Sequence, residues 1–342
     1  MAGTSDVTAR ESLRKVLANP NLRRIQLAFA GSLLGDWAYA TAVTVWAYYE
    51  GGATAVGAFQ AVRFISMAVA GPLGAVIADR VPRKTFMMTT DAVRAVLVAT
   101  AALAIAAGSP AIVVYVLAIM AGMVGASFRS AQAGLIPKLV SAPDELTSSN
   151  AVAANLENVV VFAGPALGAL LIGLIDVEAV FWDHVASFVW SFLLVSAVKV
   201  PAEERVAEEE GETEDEPGFL KEVTAGFSMI TRDRDLATVS LLAGAQGMVW
   251  GALTVFMVIM SLQMLDAGPE GVGYLNAIMG VGTVVGGLVV LTRTTKGRLG
   301  QDMAIGVLGW SVPLLLLAAS GAIVARASIP SAWAVLTSSN ER

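Results

Sequence analysis

The sequence contains no cysteine and one histidine, His184, among its 342 residues. The absence of cysteine excludes disulfides, thiolate metal sites and thiol nucleophiles. A single histidine argues against a histidine-based metal site or a catalytic triad, and it rules out an HExxH zinc motif. The sequence therefore predicts that the protein has no cofactor or metal and is not an enzyme.

Charged residues are also scarce, at 15% of the chain against 56% hydrophobic residues, and the mean hydropathy is +0.69. A chain of this composition has too few polar side chains to cover a soluble globule. The net charge of -6 arises in residues 201–217, where nine acidic residues accompany Arg205. The rest of the chain is weakly basic, so we expect no nucleic-acid partner. The composition predicts an integral protein of the cell membrane, in contact with the lipid bilayer.

Long apolar runs predict an all-α fold with nine transmembrane helices, because each run has about the 20 residues needed to cross a bilayer. The predicted spans are residues 25–49, 56–78, 85–107, 111–132, 148–174, 179–198, 237–264, 272–291 and 303–324. They divide into six plus three. The predicted domains are a basic leader (1–24), a six-helix bundle (25–200), an acidic linker with an amphipathic helix at 219–235 (201–235), and a partial second bundle (236–342).

The distribution of basic residues predicts the orientation of these spans. If the amino terminus is cytoplasmic, the inner segments hold 17 of the 22 Lys and Arg, and the outer turns at 50–55, 108–110, 175–178 and 265–271 hold none. Basic residues in short loops stay on the cytoplasmic side. We therefore expect the amino terminus to lie inside.

One charged turn interrupts the apolar runs in a distinctive way. The segment Gly74-Ala75-Val76-Ile77-Ala78-Asp79-Arg80-Val81-Pro82-Arg83-Lys84 has the spacing G-x-x-x-A-D-R-x-x-R-K. It resembles the loop between the second and third helices of the major facilitator superfamily. Further motifs resemble the enterobactin-exporter branch: Gly35-Asp36, Asp91-x-x-Arg94, Phe128-Arg129-Ser130-Ala131, Leu135-Ile136-Pro137, Ser149-Asn150-Ala151, Gly164-Pro165-Ala166-Leu167-Gly168 and Asp183.

The resemblance implies a secondary active transporter with major facilitator-like helix bundles. It implies proton-coupled export of a small hydrophobic or amphipathic molecule of the drug or siderophore type. The family uses twelve spans, whereas the 18 residues after Val324 include Arg326 and Pro330 and are too few to cross. We therefore expect either a carboxyl-terminally incomplete chain, or missing helices supplied by self-association or by a partner.

Charges within the spans are the candidate functional groups, since each costs roughly 2.5 to 3.5 kcal/mol if unpaired at the membrane centre. Asp36 and Arg63 have similar predicted depths, so we expect them to pair across adjacent helices, either as a proton or substrate site or as a static ion pair. The predicted substrate and proton residues are Asp36, Gln60, Arg63, Asn150 and Glu157. Glu157 is a second candidate proton site, with structural hydrogen bonding as the alternative.

A second group of residues is predicted to control gating. Asp91 and Arg94 are three apart, and we expect them to pair with each other or with the Asp79 turn. The predicted gating residues are Gly74, Asp79, Arg80, Arg83, Lys84, Asp91, Arg94 and Arg129. The exporter-like motif residues Gly164, Pro165 and Gly168 permit close helix contact and a bend, or form a generic packing kink. His184 is expected at an outer membrane boundary.

Two alternatives to a proton-coupled exporter remain open at this level. The first is a truncated, non-transporting membrane remnant or accessory protein, which the missing spans favour. The second is a lysophospholipid flippase, which would share the scaffold and differ in substrate. Side chains that differ within a shared scaffold decide the substrate, so the fold does not identify it.

Overall fold

A computed structural model describes residues 9–200, 228–268, 271–276 and 278–279. Within these residues the secondary structure is helical. The main helices are α1 (Ala9–Ala18), α2 (Pro20–Arg80), α3 (Arg83–Ala106), α4 (Ala111–Gly125), α5 (Phe128–Leu135), α6 (Pro143–Leu174), α7 (Val177–Ser196) and α8 (Arg234–Ile259). A 3-10 turn (Ile136–Lys138) follows α5, and a π-helical turn (Met260–Met264) follows α8.

Helix α2 contains two spans, because its backbone leaves the helical conformation at Gly51 and Gly52. Gly52 has a φ of +65°, which glycine adopts without strain. The rings of Trp46 and Phe59 each lie 5.3 Å from the ring of Tyr115. A straight helix would separate residues 13 apart by about 20 Å, so the chain reverses direction at the two glycines. Residues 20–50 and 53–80 are therefore two antiparallel helices.

Six helical stretches are long and apolar enough to cross a membrane: Pro20–Arg80, Arg83–Ala106, Ala111–Lys138, Pro143–Leu174, Val177–Ser196 and Leu236–Met264. Because the first stretch is broken at the two glycines, they match the first seven predicted spans. The predicted all-α membrane fold is thus confirmed. Most of the eighth span, all of the ninth, the acidic linker and most of the amphipathic helix lie outside the described residues, so the count of nine stays a prediction.

Two buried apolar clusters hold the helices together. One lies at the centre of the bundle and includes Ala38, Ala42, Val98, Ala101, Phe181 and Phe188. The other includes Leu22, Ala78, Met87, Leu135 and Val195. Leu22 and Ala78 come from opposite ends of α2, which again requires the reversal at Gly51 and Gly52. The many small residues let the helix backbones approach closely, as helices in lipid require.

Basic side chains cap the carboxyl-terminal end of α7. Lys84 Nζ donates to the carbonyl oxygens of Ser196 at 2.7 Å and Val198 at 2.8 Å. Arg24 Nη1 donates to the carbonyl oxygen of Ala197 at 2.9 Å. The last carbonyls of a helix have no partner within the helix and carry partial negative charge, so cations stabilise them. These two residues tie α7 to the starts of α2 and α3.

Helix α1 docks on the start of α6 through polar contacts. Lys15 Nζ lies 3.1 Å from Asp144 and 3.1 Å from Glu11. Hydrogen bonds to Glu11 and then to Asp144 raise the pKa of Lys15 above its usual value. Asn19 caps α2 by accepting from the backbone N–H groups of Asn21 and Leu22, and its Nδ2 donates to the carbonyl oxygen of Leu139 at 3.0 Å.

Candidate functional site

Asp36 of α2 forms the centre of a charged cluster inside the bundle. Its Oδ1 pairs with Nη2 of Arg94, and His184 Nε2 lies 3.4 Å from the same oxygen. The Arg94 side chain is 7% exposed, and its guanidinium carbon lies 4.2 Å from the centre of the Phe188 ring. One carboxylate therefore links three helices, α2, α3 and α7, through groups that exchange protons or carry fixed positive charge.

The predicted pairing of Asp36 with Arg63 is wrong. Arg63 Nη1 instead donates to Gln60 Oε1 at 3.3 Å, one turn earlier on the same helix, and its guanidinium lies 5.8 Å from the Phe64 ring. Arg94 reaches Asp36 because Gly125 of α4 leaves room for it. A Cβ at Gly125 would lie 2.6 Å from the Arg94 guanidinium carbon. Depth along a helix therefore does not show which arginine, Arg63 or Arg94, pairs with Asp36.

Asp91 is fully buried and does not pair with Arg94, contrary to the prediction. Its Oδ2 accepts a hydrogen bond of 2.6 Å from Ser191 Oγ on α7. Within the described part of the chain, its Oδ1 has no hydrogen-bond partner. Residues three apart on α3 therefore engage different helices: Arg94 contacts α2, and Asp91 contacts α7. A buried carboxylate with one hydrogen bond and no ion-pair partner among the described residues is costly, which makes Asp91 a further candidate functional group.

His184 is a member of the cluster that the sequence interpretation missed. The prediction of an outer boundary position is wrong, because the residue is 1% exposed and stacks against Tyr39 with 4.7 Å between ring centres. Its Nδ1 lies 3.2 Å from Ser187 Oγ. A signal was present in the sequence. His184, Ser187, Phe188 and Ser191 recur at the spacing of one helical face, which indicates a shared inward side of α7.

Asn150 and Glu157, the predicted polar residues of the fifth span, are not among the residues that contact Asp36. Glu157 of α6 pairs with Nη1 of Arg129 on α5, and the Arg129 side chain is 68% exposed. Asn150, two turns earlier on α6, is exposed. The Glu157 side chain is 25% exposed. The structure thus gives Glu157 an ion pair between α5 and α6, separate from the Asp36 pair with Arg94.

The predicted gating turn packs closely against the helices around it. Asp79 Oδ1 and Arg83 Nη1 form an ion pair of 2.9 Å. Gly74 faces Ser127, since a Cβ at Gly74 would lie 2.9 Å from Ser127 Cβ, and Ser127 Oγ donates to the carbonyl oxygen of Gly71 at 2.9 Å. Arg80 is half-buried. Lys84 caps α7, as described above.

The exporter-like motif of α6 lies directly against the first half of α2. A Cβ at Gly168 would lie 2.6 Å from the carbonyl oxygen of Ala38 and 3.0 Å from its Cα. Gly164 faces Trp37 in the same way. Pro165 lies between them, inside the helix. The two glycines therefore let the helices approach closely within two residues of Asp36 on either side, at Leu34 and Ala38.

A cavity of about 500 Å³ lies between the second half of α2 and α8. Gln60 and Phe64 line it from α2, and α8 contributes Gly244, Gly247, Met248, Gly251 and Val255. Gln60 is 3% exposed and is hydrogen-bonded to Arg63. Volumes of this size are typical of small-molecule sites with apolar walls and a few polar groups.

The first half of α2 also contacts α8. The rings of Trp37 and Trp250 lie 5.6 Å apart, edge to face, at an angle of 80°. Trp37 follows Asp36 directly in the sequence. The charged cluster of the first bundle is therefore one residue from the contact with the seventh span.

Comparison with known proteins agrees with this architecture. The chain is 22% identical over 230 residues to macrolide efflux protein A of Streptococcus pyogenes. The aligned region covers 66% of this chain and 55% of that protein. The chain is equally similar to macrolide efflux protein A of Enterococcus faecalis, of which 69% is covered. The chain thus spans about half the length of the first of these relatives. Residues 26–339 match the model of the Major Facilitator Superfamily, and the chain belongs to this family of membrane transporters.

Proposed function

We propose that this protein is a proton-coupled secondary transporter that exports a small hydrophobic or amphipathic molecule across the cell membrane. The amino terminus lies on the cytoplasmic side, as the basic residues of the inner segments indicate. The observation that carries the proposal is the charged cluster inside the bundle, in which Asp36 contacts the buried side chains of Arg94 and His184. Such intramembrane ionisable groups are expensive and are typical of proton and substrate pathways.

The geometry supports a simple coupling scheme. A proton on Asp36 removes the charge that holds Arg94 and leaves a buried guanidinium against Phe188 without its counter-ion. Because a buried charge without a partner is strongly unfavourable, the helices rearrange until Arg94 finds another one. Asp91 lies one helical turn away on α3. The cluster is thus a two-state element that proton binding biases.

Export of a drug-like molecule is supported by the relatives, whose names refer to macrolide efflux. The motifs at 128–137 and 149–151 support the narrower enterobactin-exporter branch, and hence a siderophore type of cargo. Because the relatives and the motifs indicate different cargoes, we assign the general class of amphipathic small molecules.

The test is dye efflux from membrane vesicles that contain the 342-residue chain, driven by an imposed pH gradient. We expect gradient-dependent efflux from the native protein and its loss in Asp36→Asn, with equal amounts of inserted protein. Arg23→Gln, which removes an exposed charge, is the control and should transport normally. Gradient-driven efflux that persists in Asp36→Asn would contradict coupling through this residue. Absence of efflux from the native chain would favour the remnant.

A further inference from the structure

Arg63 is the charged residue whose role the coupling cluster does not explain. Asp36 is engaged by Arg94, and Asp91 is engaged by Ser191. Among the described residues, Arg63 has no carboxylate within ion-pair distance, and its contacts are the Gln60 amide and the Phe64 ring. It lies 11 residues after Gly52, or about 16 Å into the helix at 1.5 Å per residue. A cation this deep in the membrane is costly, and it is typical of a site where the charge binds a partner or a ligand.

Both residues that Arg63 contacts line the cavity between α2 and α8. The polar part of the wall is Gln60, whose side chain is 97% buried and holds the guanidinium through its Oε1. Gln60 is therefore the polar residue of an otherwise apolar lining, and it is hydrogen-bonded to the positively charged Arg63, which does not itself line the cavity. This combination favours a ligand group that accepts hydrogen bonds and carries negative charge.

The opposite wall of the cavity, on α8, is formed largely by glycines, which have no side chains. Gly244 and Gly247 of α8 have no atom within 4 Å of the position that a Cβ would occupy. Met248 and Val255 provide apolar surface beside them, and methionine adapts to ligands of different shape. This wall holds an apolar body without offering any group to pair with a second charge.

We propose that the cavity between α2 and α8 binds small amphipathic acids, with Gln60 contacting the anionic group, Arg63 supplying the positive charge next to Gln60, and the glycine face of α8 holding the apolar part. The site lies between the first bundle and the seventh span, where a transported molecule would contact both bundles. The proposal names the substrate class and rests on the proposed transport function for its physiological role. Binding itself requires no proton gradient.

The experiment measures binding of dansyl-undecanoic acid to the full chain in nanodiscs of zwitterionic lipid, through energy transfer from tryptophan. The uncharged methyl ester of the same probe is the comparison ligand. We expect the native protein to bind the acid at least tenfold more tightly than the ester. Arg63→Gln should bind the two equally, whereas Arg63→Lys should keep the preference for the acid. Equal affinities of the native protein for acid and ester would overturn the proposal.

A cavity-filling pair locates the site. Gly247→Leu places a side chain in the cavity without meeting a protein atom at its Cβ, and we expect it to abolish binding of both probes. Gly71→Leu makes the same change at another open helical glycine outside the cavity, and it should bind normally. Unchanged binding in Gly247→Leu would exclude this cavity. Loss of acid binding in nanodiscs containing phosphatidylglycerol would instead assign the site to a lipid phosphate and contradict a small-molecule acid.

The same probe separates this proposal from the coupling mechanism. Asp36→Asn should bind the acid at least as tightly as the native protein while losing gradient-driven efflux, since it removes a negative charge that acts on Arg63 without forming an ion pair with it. If efflux fails in every variant but the binding pattern holds, the site stands and the transport proposal fails. If efflux holds and the acid shows no preference over the ester, the substrate class is wrong.

Discussion

Arg94 of α3 pairs with Asp36 of α2 across the bundle, through the space that Gly125 of α4 leaves open. The pair joins helices that are separate in sequence, and Arg94 is almost completely buried. Removing either partner leaves the other uncompensated, whereas removing both leaves two neutral groups. The contribution of the pair can therefore be isolated from the contributions of its members.

We expect Asp36→Asn and Arg94→Gln each to lower thermal stability, and the double variant to lose less than the sum of the two. The interaction free energy should be roughly 0.5 to 3 kcal/mol, the range for contacting residues. Asp36 is 37% exposed, so solvent screening places the value toward the lower end. Thermal unfolding of the four proteins in detergent measures it. Strict additivity would show that the pair has no energetic coupling.

Gly168→Ala should push α6 away from α2. The new Cβ would lie 2.6 Å from the Ala38 carbonyl oxygen, and backbone atoms cannot move aside as a flexible side chain can. We expect a loss of about 1 to 3 kcal/mol, as for other overpacked sites. Gly71→Ala is the matched control, since nothing lies within 4 Å of its Cβ. That change should be neutral or stabilising. Equal stability of the two variants would argue against a close contact at Gly168.

Lys84→Met should destabilise the end of α7. The change removes two hydrogen bonds from a charged donor to the carbonyls of Ser196 and Val198 while keeping the length of the side chain. We expect a loss of about 1.5 to 3 kcal/mol and faster hydrogen exchange in the last turn of α7. Lys84→Arg should retain part of the effect. If Lys84→Met changes transport without changing exchange, Lys84 acts in gating, as the sequence predicted, and not as a cap.

Docking of α1 should weaken in alkaline solution. The folded-state pKa of Lys15 is raised above its usual 10.5, so its contribution is complete below that value and is lost as the pH rises through the folded pKa. Hydrogen exchange of α1 amides, corrected for the intrinsic dependence of exchange on pH, should show this loss above pH 10.5. Lys15→Met should show weak protection at every pH. A native-like pH dependence in Lys15→Met would assign the transition to another group.

The positions of the first seven spans could be predicted from the sequence because the signal is local: a run of about 20 apolar residues identifies a span. The orientation that the Lys and Arg of the adjoining loops indicate stays a prediction. The turn at Gly51 and Gly52 falls within the predicted outer loop for the same reason, since glycine allows the positive φ that a tight reversal needs.

The partners of the buried charges could not be predicted in this way. Depth along a helix places Asp36, Arg63 and Arg94 in the membrane, but it contains no information on which helices are neighbours. The room that Arg94 needs is left by Gly125, which lies on another helix, α4. His184 was misplaced because its position near a span end outweighed the helical spacing of its polar neighbours. Packing between helices, and not the pattern within one, determines this site.

Trp37 contacts Gly164 of the fifth span on one side and Trp250 of the seventh on the other. The first of these contacts is locked by backbone packing, whereas the second is an edge of one indole against the face of another. In the proposed transport cycle, movement of the first bundle against the seventh span would turn one indole over the other, about Trp37. The angle between these two rings is then expected to give an intrinsic optical signal of that movement.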